Sequence, residues 1–100
     1  MRQYASKTAT LAAIVLAAGV TTAAAQESIK VGVIQPLTGA FAASGNYVAN
    51  GAKIAADEIN AKGGVLGKKL ELVIEDNKSN PTEAAAVAEK LIVRDKVPVM

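Results

Sequence analysis

A short segment of small and turn-forming residues, numbers 36 to 45, carries the side chains best suited to recognising a small molecule. Thr38 and Ser44 supply hydroxyl groups, and Phe41 is the only phenylalanine of the chain. The segment also leads into a predicted helix, and backbone N–H groups at a helix amino terminus favour a carboxylate or a phosphate. Tyr47 follows at the start of that helix. The residue types therefore predict a binding surface for a small anionic group.

Each of these residues also has a purely structural interpretation. Hydroxyl-bearing residues and glycines are common in loops because they stabilise turns. Phe41 could pack against the domain, and Tyr47 could shield the helix end. The carboxylate of Asp76 follows a predicted strand, where a catalytic group could lie, but without a partner base its position favours a turn former.

The composition excludes several kinds of chemistry. The chain has no Cys and no His, so it lacks disulfide bonds, a lipid-modified Cys, a Ser-His-Asp triad and the usual ligands of zinc and haem. It also lacks the glycine motifs of nucleotide triphosphate and dinucleotide sites. We therefore expect a binding protein and not an enzyme, with no cofactor and no catalytic or metal-binding residue.

The first 25 residues have the features of a secretory signal peptide. Two basic residues precede an apolar run from residue 9 to 20, and an A-x-A cleavage signal lies at Ala23 and Ala25. The strongly apolar part is shorter than the ~20 residues of a bilayer span. We expect cleavage before Gln26 and a soluble periplasmic product without a lipid anchor.

Residues 26 to 100 carry balanced charge. They hold nine Lys or Arg and nine Asp or Glu, so the formal net charge of +2 comes from Arg2 and Lys7. Balanced charge gives no basic patch for nucleic acid. A stretch of this length is short for a domain, given a usual range of ~50 to 250 residues, and residues 97–100 are apolar without a polar tail. We therefore expect an incomplete domain.

The elements that must position the loop begin with a strand and a helix. A β-branched run from Ile29 to Ile34, closed by Pro36, predicts the strand. Apolar residues recurring every three or four positions predict a helix from Asn46 to Lys62, which Gly63-Gly64 ends. The predicted apolar face consists of Val48, Ala52, Ala55, Ala56 and Ile59, opposite the polar Asn50, Lys53, Asp57 and Asn60.

A second strand and a second helix follow. Leu70 to Glu75 predicts the strand, and Asn80 as N-cap, Pro81 at the first helical position and Glu83 at the third predict the helix start. We expect this helix to extend to about Lys96. Its predicted apolar stripe is Ala84, Val87, Ala88, Leu91 and Ile92.

Residues 97–100 predict a third strand, which completes the order β-α-β-α-β. This order indicates an α/β domain with a parallel sheet. Ligands of open parallel sheets bind beyond the carboxyl ends of the strands, where neighbouring connections leave to opposite faces. With strand 1 between strands 2 and 3, the loop at residues 36–45 forms one wall of that crevice.

Three stretches carry a family resemblance. They read I-K-V-G-V-I-Q-P-L-T-G-A-F-A-A-S-G at 29–45, A-A-D-E-I-N-A-K-G-G-V-L-G-K-K-L-E-L at 55–72 and E-D-N-K-S-N-P-T-E-A at 75–84. The sequence resembles the amino-terminal part of leucine/isoleucine/valine-type periplasmic binding proteins, which serve ABC importers of branched-chain amino acids. The resemblance implies a two-lobed type I binding protein whose lobes close over a small molecule. Residues 26–100 would then be the amino-terminal portion of lobe 1.

The resemblance also implies a ligand set and partners. In this family the loop after strand 1 faces the cleft, and the position of Ser44 lies near the ligand side chain and is frequently aromatic. Ser44 is small and leaves more room, so aromatic acids, amides and urea are alternatives to a branched-chain amino acid. The expected partners are the small ligand and an ABC permease, and a monomer is expected. A ligand-sensing module of the same fold and an exported α/β hydrolase-like enzyme are rival functions. The predicted ligand-binding residues are Thr38, Phe41, Ser44 and Tyr47.

Overall fold

The computed structural model describes residues 27–100, and the predicted signal peptide at residues 1–25 lies outside them. Two strands and two helices alternate along the chain, and the strands pair in parallel in full register, from Ser28 opposite Lys69 to Gln35 opposite Asp76. The predicted α/β class with a parallel sheet is confirmed. The elements are β1 (Ser28–Gln35), α1 (Ala42–Ala61), β2 (Lys69–Asp76) and α2 (Pro81–Val93).

The segment after α2 meets β1 on the edge that β2 leaves free. Val99 forms an isolated parallel bridge with Val31, and the Gly32 N–H donates to the Val99 carbonyl at 2.9 Å. The predicted third strand begins here with this one bridge and without a ladder over residues 97–100. Pro98 lacks an N–H for such a ladder. The predicted order is nevertheless present, since β1 lies between β2 and this segment.

α1 begins at Ala42 and ends at Ala61. The predicted start at Asn46 was four residues too late, because no side chain caps this helix end and the sequence therefore carries no start signal. Ser44 and Gly45 consequently belong to the first helical turn and not to the loop. A row of small residues lets α1 approach the sheet closely, since a Cβ on Gly45 would lie 2.0 Å from the Pro36 carbonyl oxygen.

The buried face of α1 is rotated from the predicted one. Gly45, Ala49 and Ala56 are its buried residues. Val48 and Ala55, predicted to face the sheet, are exposed, and Ile59 lies at the border of exposure. The prediction was correct for Ala56, which is buried, and for Ala52, which is half-buried. It was wrong for Val48 and Ala55, because spacing alone does not tell which of two adjoining apolar rows, one small and one large, meets the sheet.

Asn60 was predicted on the polar side of α1, and this placement was wrong. Its side-chain amide donates to the Leu70 carbonyl at 2.9 Å, and its side-chain oxygen accepts the Leu70 N–H at 2.7 Å. These two bonds satisfy the N–H and carbonyl groups of Leu70, which lie on the edge of β2 that has no strand partner within residues 27–100. The end of α1 is thereby held against the first residues of β2.

α2 starts at the predicted position. The Asn80 side chain accepts the N–H groups of Thr82 at 2.8 Å and Glu83 at 3.3 Å, and Pro81 occupies the first helical position. The cap satisfies two of the donors that the first turn of a helix leaves without an internal acceptor. Glu83 also places a negative charge in the first turn, where it complements the helix dipole.

α2 ends at Val93, before the predicted end near Lys96. Lys96 adopts a left-handed φ of 51°, which is incompatible with continuing the helix. Leu91 is fully buried and packs beside Gly32, whereas Ile92, predicted in the apolar stripe, is exposed. Neither helix of residues 27–100 has the length and apolar character needed to cross a membrane.

The two helices lie on opposite faces of the sheet. Ala56 of α1 borders a shallow cavity together with Leu70 and Leu72 of β2. Leu91 of α2 instead packs beside Gly32, which is adjacent in β1 to the partner of Leu72 and so faces the other way. The α1 connection from β1 to β2 therefore crosses one face, and the α2 connection from β2 to the Val99 segment crosses the other, so the strand order reverses between β1 and the Val99 segment.

Candidate functional site

Two connections meet at the carboxyl edge of the sheet. The first, named here the β1 loop, comprises residues 36–41, and the second, the β2 turn, comprises residues 77–80. Because β1 and β2 end in register, Gln35 opposite Asp76, the two connections start side by side. The Asn77 N–H donates to the Gln35 carbonyl at 3.1 Å and continues the strand pairing into the turn.

The Asp76 carboxylate holds the β1 loop. It accepts the Leu37 N–H at 2.9 Å, the Thr38 N–H at 3.3 Å and the Thr38 hydroxyl at 2.6 Å. It also accepts the Lys78 N–H at 2.7 Å, which shapes the β2 turn. These donors lower the pKa of Asp76, and the Thr38 hydroxyl is the largest cause. Asp76 therefore shapes the β2 turn, as predicted, and also fixes the β1 loop through hydrogen bonds.

Ser79 adds a second link between the two connections. Its hydroxyl donates to the Thr38 carbonyl at 2.9 Å and accepts the Phe41 N–H at 3.1 Å. Gly39 makes the close approach possible, with a left-handed φ of 87° and with the Lys78 carbonyl oxygen 2.9 Å from where a Cβ would stand. The β1 loop and the β2 turn are thus one packed unit.

The four residues predicted to bind ligand lie at this edge. The Thr38 hydroxyl is occupied by Asp76, and the Ser44 hydroxyl donates to the Phe41 carbonyl at 2.9 Å. Phe41 is 64% exposed and Tyr47 is 78% exposed. The structure therefore brings Phe41 and Ser44 together at the start of α1, with Tyr47 one turn further along, and their role in ligand binding stays a prediction.

The amino end of α1 has the electrostatics expected of an anion site. No side chain caps it, so its first turn retains N–H groups without a capping acceptor and a partial positive charge. Asn46 holds this end against the loop, because its side-chain amide donates to the carbonyls of Leu37 at 3.0 Å and Ala42 at 2.7 Å. A carboxylate placed here would meet donors that are already oriented.

An open cavity of about 270 Å³ lies between the β1 loop and α2, on the β2 side of the edge. Its position differs from the predicted crevice, which lies on the other side of β1, toward Val99. The exposed ring of Phe41 borders this cavity. Its lining consists of Pro36, Phe41, Asn77, Ser79, Asn80, Pro81 and Ala84.

Three residues shape this edge in ways that were not predicted, namely Asp76 by holding the β1 loop, Ser79 and Asn46. A signal for the first was present, because polar residues that end neighbouring parallel strands meet at one edge. Ser79 and Asn46 gave no such signal, since a serine in a turn and an asparagine beside a helix start are common for local reasons.

Comparisons with known proteins agree on one family. The family model described as periplasmic binding protein matches residues 28–100. The Leu/Ile/Val-binding protein BraC3 of Rhizobium johnstonii is 46% identical over 68 residues, which are 68% of this chain and 18% of that protein. The leucine-specific-binding protein of Salmonella typhimurium is 38% identical over 86 residues, which are 86% of this chain and 23% of that protein.

Solved structures give the same result. The branched-chain amino acid transporter substrate binding protein LivJ of Streptococcus pneumoniae, in complex with isoleucine, has a TM-score of 0.70 and 45% identity over 71% of this chain and 20% of that one. A solute binding protein of an ABC transporter from Rhodopseudomonas palustris, in complex with 3,4-dihydroxybenzoic acid, has a TM-score of 0.61 and 38% identity over 70% and 19%. The chain spans about a fifth of the length of the curated relatives it matches.

Proposed function

Because the chain belongs to the periplasmic binding protein family, we propose that it is part of an extracytoplasmic solute-binding protein of an ABC importer. In this proposal the protein captures a branched-chain or related amino acid and delivers it to the membrane permease. The observation that carries the proposal is the clamped β1 loop beside the uncapped α1 terminus, in a chain that is 46% identical to a Leu/Ile/Val-binding protein.

In the proposed mode of binding, the β1 loop forms one wall of the ligand cleft. The loop lies at the carboxyl edge of the sheet, beside the point where the connections diverge, and such points bind ligands in open parallel sheets. The start of α1 orients N–H groups toward a ligand carboxylate, and Phe41, Ser44 and Tyr47 supply the exposed side chains near it. Thr38 keeps a hydroxyl lone pair for a ligand donor while its proton is held by Asp76.

The proposed mechanism is capture by closure and involves no chemical step. Residues 26–100 form the amino-terminal portion of lobe 1, and the opposite wall of the cleft comes from a second lobe. A ligand that contacts both walls stabilises the closed state, because it makes contacts there that the open state lacks. The closed protein then presents the ligand to the permease. We further propose that the protein acts as a monomer in the periplasm after removal of residues 1–25.

The test is a thermal unfolding assay of the full-length gene product with a panel of ligands. The panel contains L-leucine, L-isoleucine, L-valine, an amide, urea and 3,4-dihydroxybenzoate. At a concentration of about 100 times Kd, a ligand that binds only the folded state adds about 2.7 kcal/mol, which raises Tm by a few degrees. Absence of a shift with every compound would remove the proposal.

An aromatic acid is the second candidate ligand. Ser44 is small and exposed on the first turn of α1, so a larger planar ligand fits beside it better than beside an aromatic side chain. The structural relative that holds 3,4-dihydroxybenzoic acid, at 38% identity, gives this candidate a specific basis. A Tm shift with 3,4-dihydroxybenzoate and none with the three aliphatic amino acids would favour it.

A further inference from the structure

We infer that Asp76 and Ser79 are positioning residues, which set the ligand affinity of the β1 loop without touching the ligand. This inference rests on the proposed function, because it assigns the loop a ligand. It goes further by naming the last residue of β2 and one residue of the β2 turn on which binding depends, and neither was a predicted ligand contact.

The two side chains together form several hydrogen bonds with the β1 loop. Asp76 accepts the N–H groups of Leu37 and Thr38 and the Thr38 hydroxyl. Ser79 donates to the Thr38 carbonyl and accepts the Phe41 N–H. Four backbone groups of the loop, the N–H groups of Leu37, Thr38 and Phe41 and the Thr38 carbonyl, are thereby bonded to these two side chains, which favours the observed loop conformation.

The backbone of the β2 turn has an unfavourable conformation that its own hydrogen bonds maintain. Lys78 and Ser79 both adopt left-handed φ values, 54° and 56°, which are unfavourable for residues that carry a Cβ. Such a conformation persists only where the surrounding structure determines it. Asp76 accepts the Lys78 N–H at 2.7 Å, and the Asn77 side chain accepts the Ser79 N–H at 2.9 Å. The strained turn therefore serves to present the Ser79 hydroxyl to the loop.

Asp76 and Ser79, which together hold the β1 loop, lie away from the proposed cleft. Asp76 ends β2 and Ser79 lies in the turn after it, whereas the proposed cleft lies on the opposite side of β1, beside the segment that carries Val99. In this inference both residues act on the ligand through the loop, including through Phe41, whose N–H donates to Ser79 and whose ring borders the same cavity as Ser79. If the loop sampled several conformations, its apparent affinity would fall by the fraction that is competent to bind.

The experiment measures ligand binding by calorimetry and stopped-flow with the full-length gene product. The probe is L-leucine, replaced by 3,4-dihydroxybenzoate if only that compound binds the wild type. The variants are Asp76→Ala, the milder Asp76→Asn and Ser79→Ala, which keep the test valid if the first variant does not fold. The matched control is Asn60→Ala, which also removes two side-chain bonds to loop-flanking backbone, but at the far end of the sheet.

We expect Asp76→Ala to weaken binding at least about tenfold, mainly through a lower association rate, because fewer molecules hold the competent loop. Asp76→Asn and Ser79→Ala should give smaller losses in the same direction. Asn60→Ala should lower Tm but change the affinity by less than about twofold, since it is distant from the loop. In the free protein, amide hydrogen exchange at Leu37 and Thr38 should accelerate in Asp76→Ala and not in Asn60→Ala.

Two results would overturn the inference while the proposed function stands. They are an unchanged affinity in a folded Asp76 variant, and an equal loss of affinity in Asn60→Ala. A wild-type protein that binds none of the panel compounds would instead overturn the proposed function, and the inference with it.

Discussion

The pKa of Asp76 lies below its ordinary value of 3.8, with the Thr38 hydroxyl as the largest cause and the N–H groups of Lys78, Leu37 and Thr38 adding to it. Each of these donors prefers the ionised carboxylate. A group whose pKa is depressed in the folded state contributes stability above its unfolded pKa and loses it as the pH falls through the folded value. The clamp should therefore be intact at neutral pH and fail only in acid.

We predict that the exchange protection of the Leu37 and Thr38 amides falls as the pH is lowered from about 5 to 2. The Asp76→Asn variant should lack this acid-dependent step, because an amide does not titrate. The measurement is amide exchange across that pH range, corrected for the intrinsic pH dependence of exchange, with the Leu70 amide as the internal reference. Its acceptor is the Asn60 side chain, which does not titrate. Equal corrected losses at all three amides would contradict the prediction.

Two glycines of α1 are predicted to respond oppositely to the same substitution. Gly45→Ala would place a Cβ 2.0 Å from the Pro36 carbonyl oxygen, so the helix or the loop must shift. The cost should be about 3 kcal/mol or more, at the upper end for overpacking. Gly51→Ala meets nothing within 4 Å, and removing a helical glycine should stabilise the protein by about 0.5–1 kcal/mol.

The measurement for this glycine pair is urea unfolding of the full-length gene product. Because both variants add one methyl group to the same helix, differences in helix propensity cancel between them. A Gly51→Ala variant that is as destabilised as Gly45→Ala would show that Gly51 is also in close contact, contrary to its open surroundings here.

At the scale of the elements, the two helices begin in different ways. Asn80 caps α2 through two N–H groups, whereas α1 starts at Ala42 without a side-chain cap. A capped start contributes to folding, while an uncapped start leaves donors available to another molecule. The first turn of α2 therefore has a structural role, and the first turn of α1 is where the proposed function places a ligand carboxylate.

We predict that Asn80→Ala destabilises the protein by about 1 kcal/mol, the usual effect of losing an N-cap. The control is Asn50→Ala, at an exposed interior position of α1, where alanine should be neutral or slightly stabilising. Urea unfolding of the full-length gene product checks both. An Asn80→Ala variant as stable as the wild type would mean that water or another side chain replaces the cap.

The same contrast explains which elements the sequence alone could predict. The start of α2 was predicted correctly because Asn80, Pro81 and Glu83 act locally, each through its own backbone neighbourhood. The start of α1 and the orientation of Asn60 depend on tertiary contacts, namely the Pro36 carbonyl below Gly45 and the backbone of Leu70. Local pattern carries no record of such contacts.

The candidate site was likewise predictable from the sequence only in part. The position of the β1 loop followed from the β-α-β order, because parallel strands place their carboxyl ends at one edge. The clamp did not follow, because Asp76 and Thr38 are far apart in sequence and only the register of Gln35 with Asp76 brings them together. The predicted strand order placed these two strands side by side, but composition and spacing do not specify which residue of one strand lies opposite which residue of the other.

At the scale of the whole molecule, burial within residues 27–100 is sparse. Leu91 is the one large side chain in this range that is fully buried, and Ala49 and Ala56 complete the buried apolar set. Larger apolar side chains such as Val48, Ile54 and Val93 are more than half exposed. The folding stability of a small domain depends on the fraction of apolar surface that it removes from water. Residues 27–100 bury little apolar surface, so their packing contributes little folding stability.

We predict that residues 26–100, produced alone, lack a cooperative folding transition. We also expect this segment to aggregate on heating. Both edges of the β1–β2 pair support this expectation, because beyond the Val99 bridge and the two Asn60 bonds to Leu70 these strands offer unpaired backbone groups that can add other chains. The measurements are thermal unfolding by circular dichroism and sedimentation velocity. The full-length gene product is the control, for which we expect one or more sharp transitions. A sharp, reversible transition of a monomeric 26–100 segment would show that α1 and α2 supply enough packing by themselves, contrary to the exposure of Val48 and Val93.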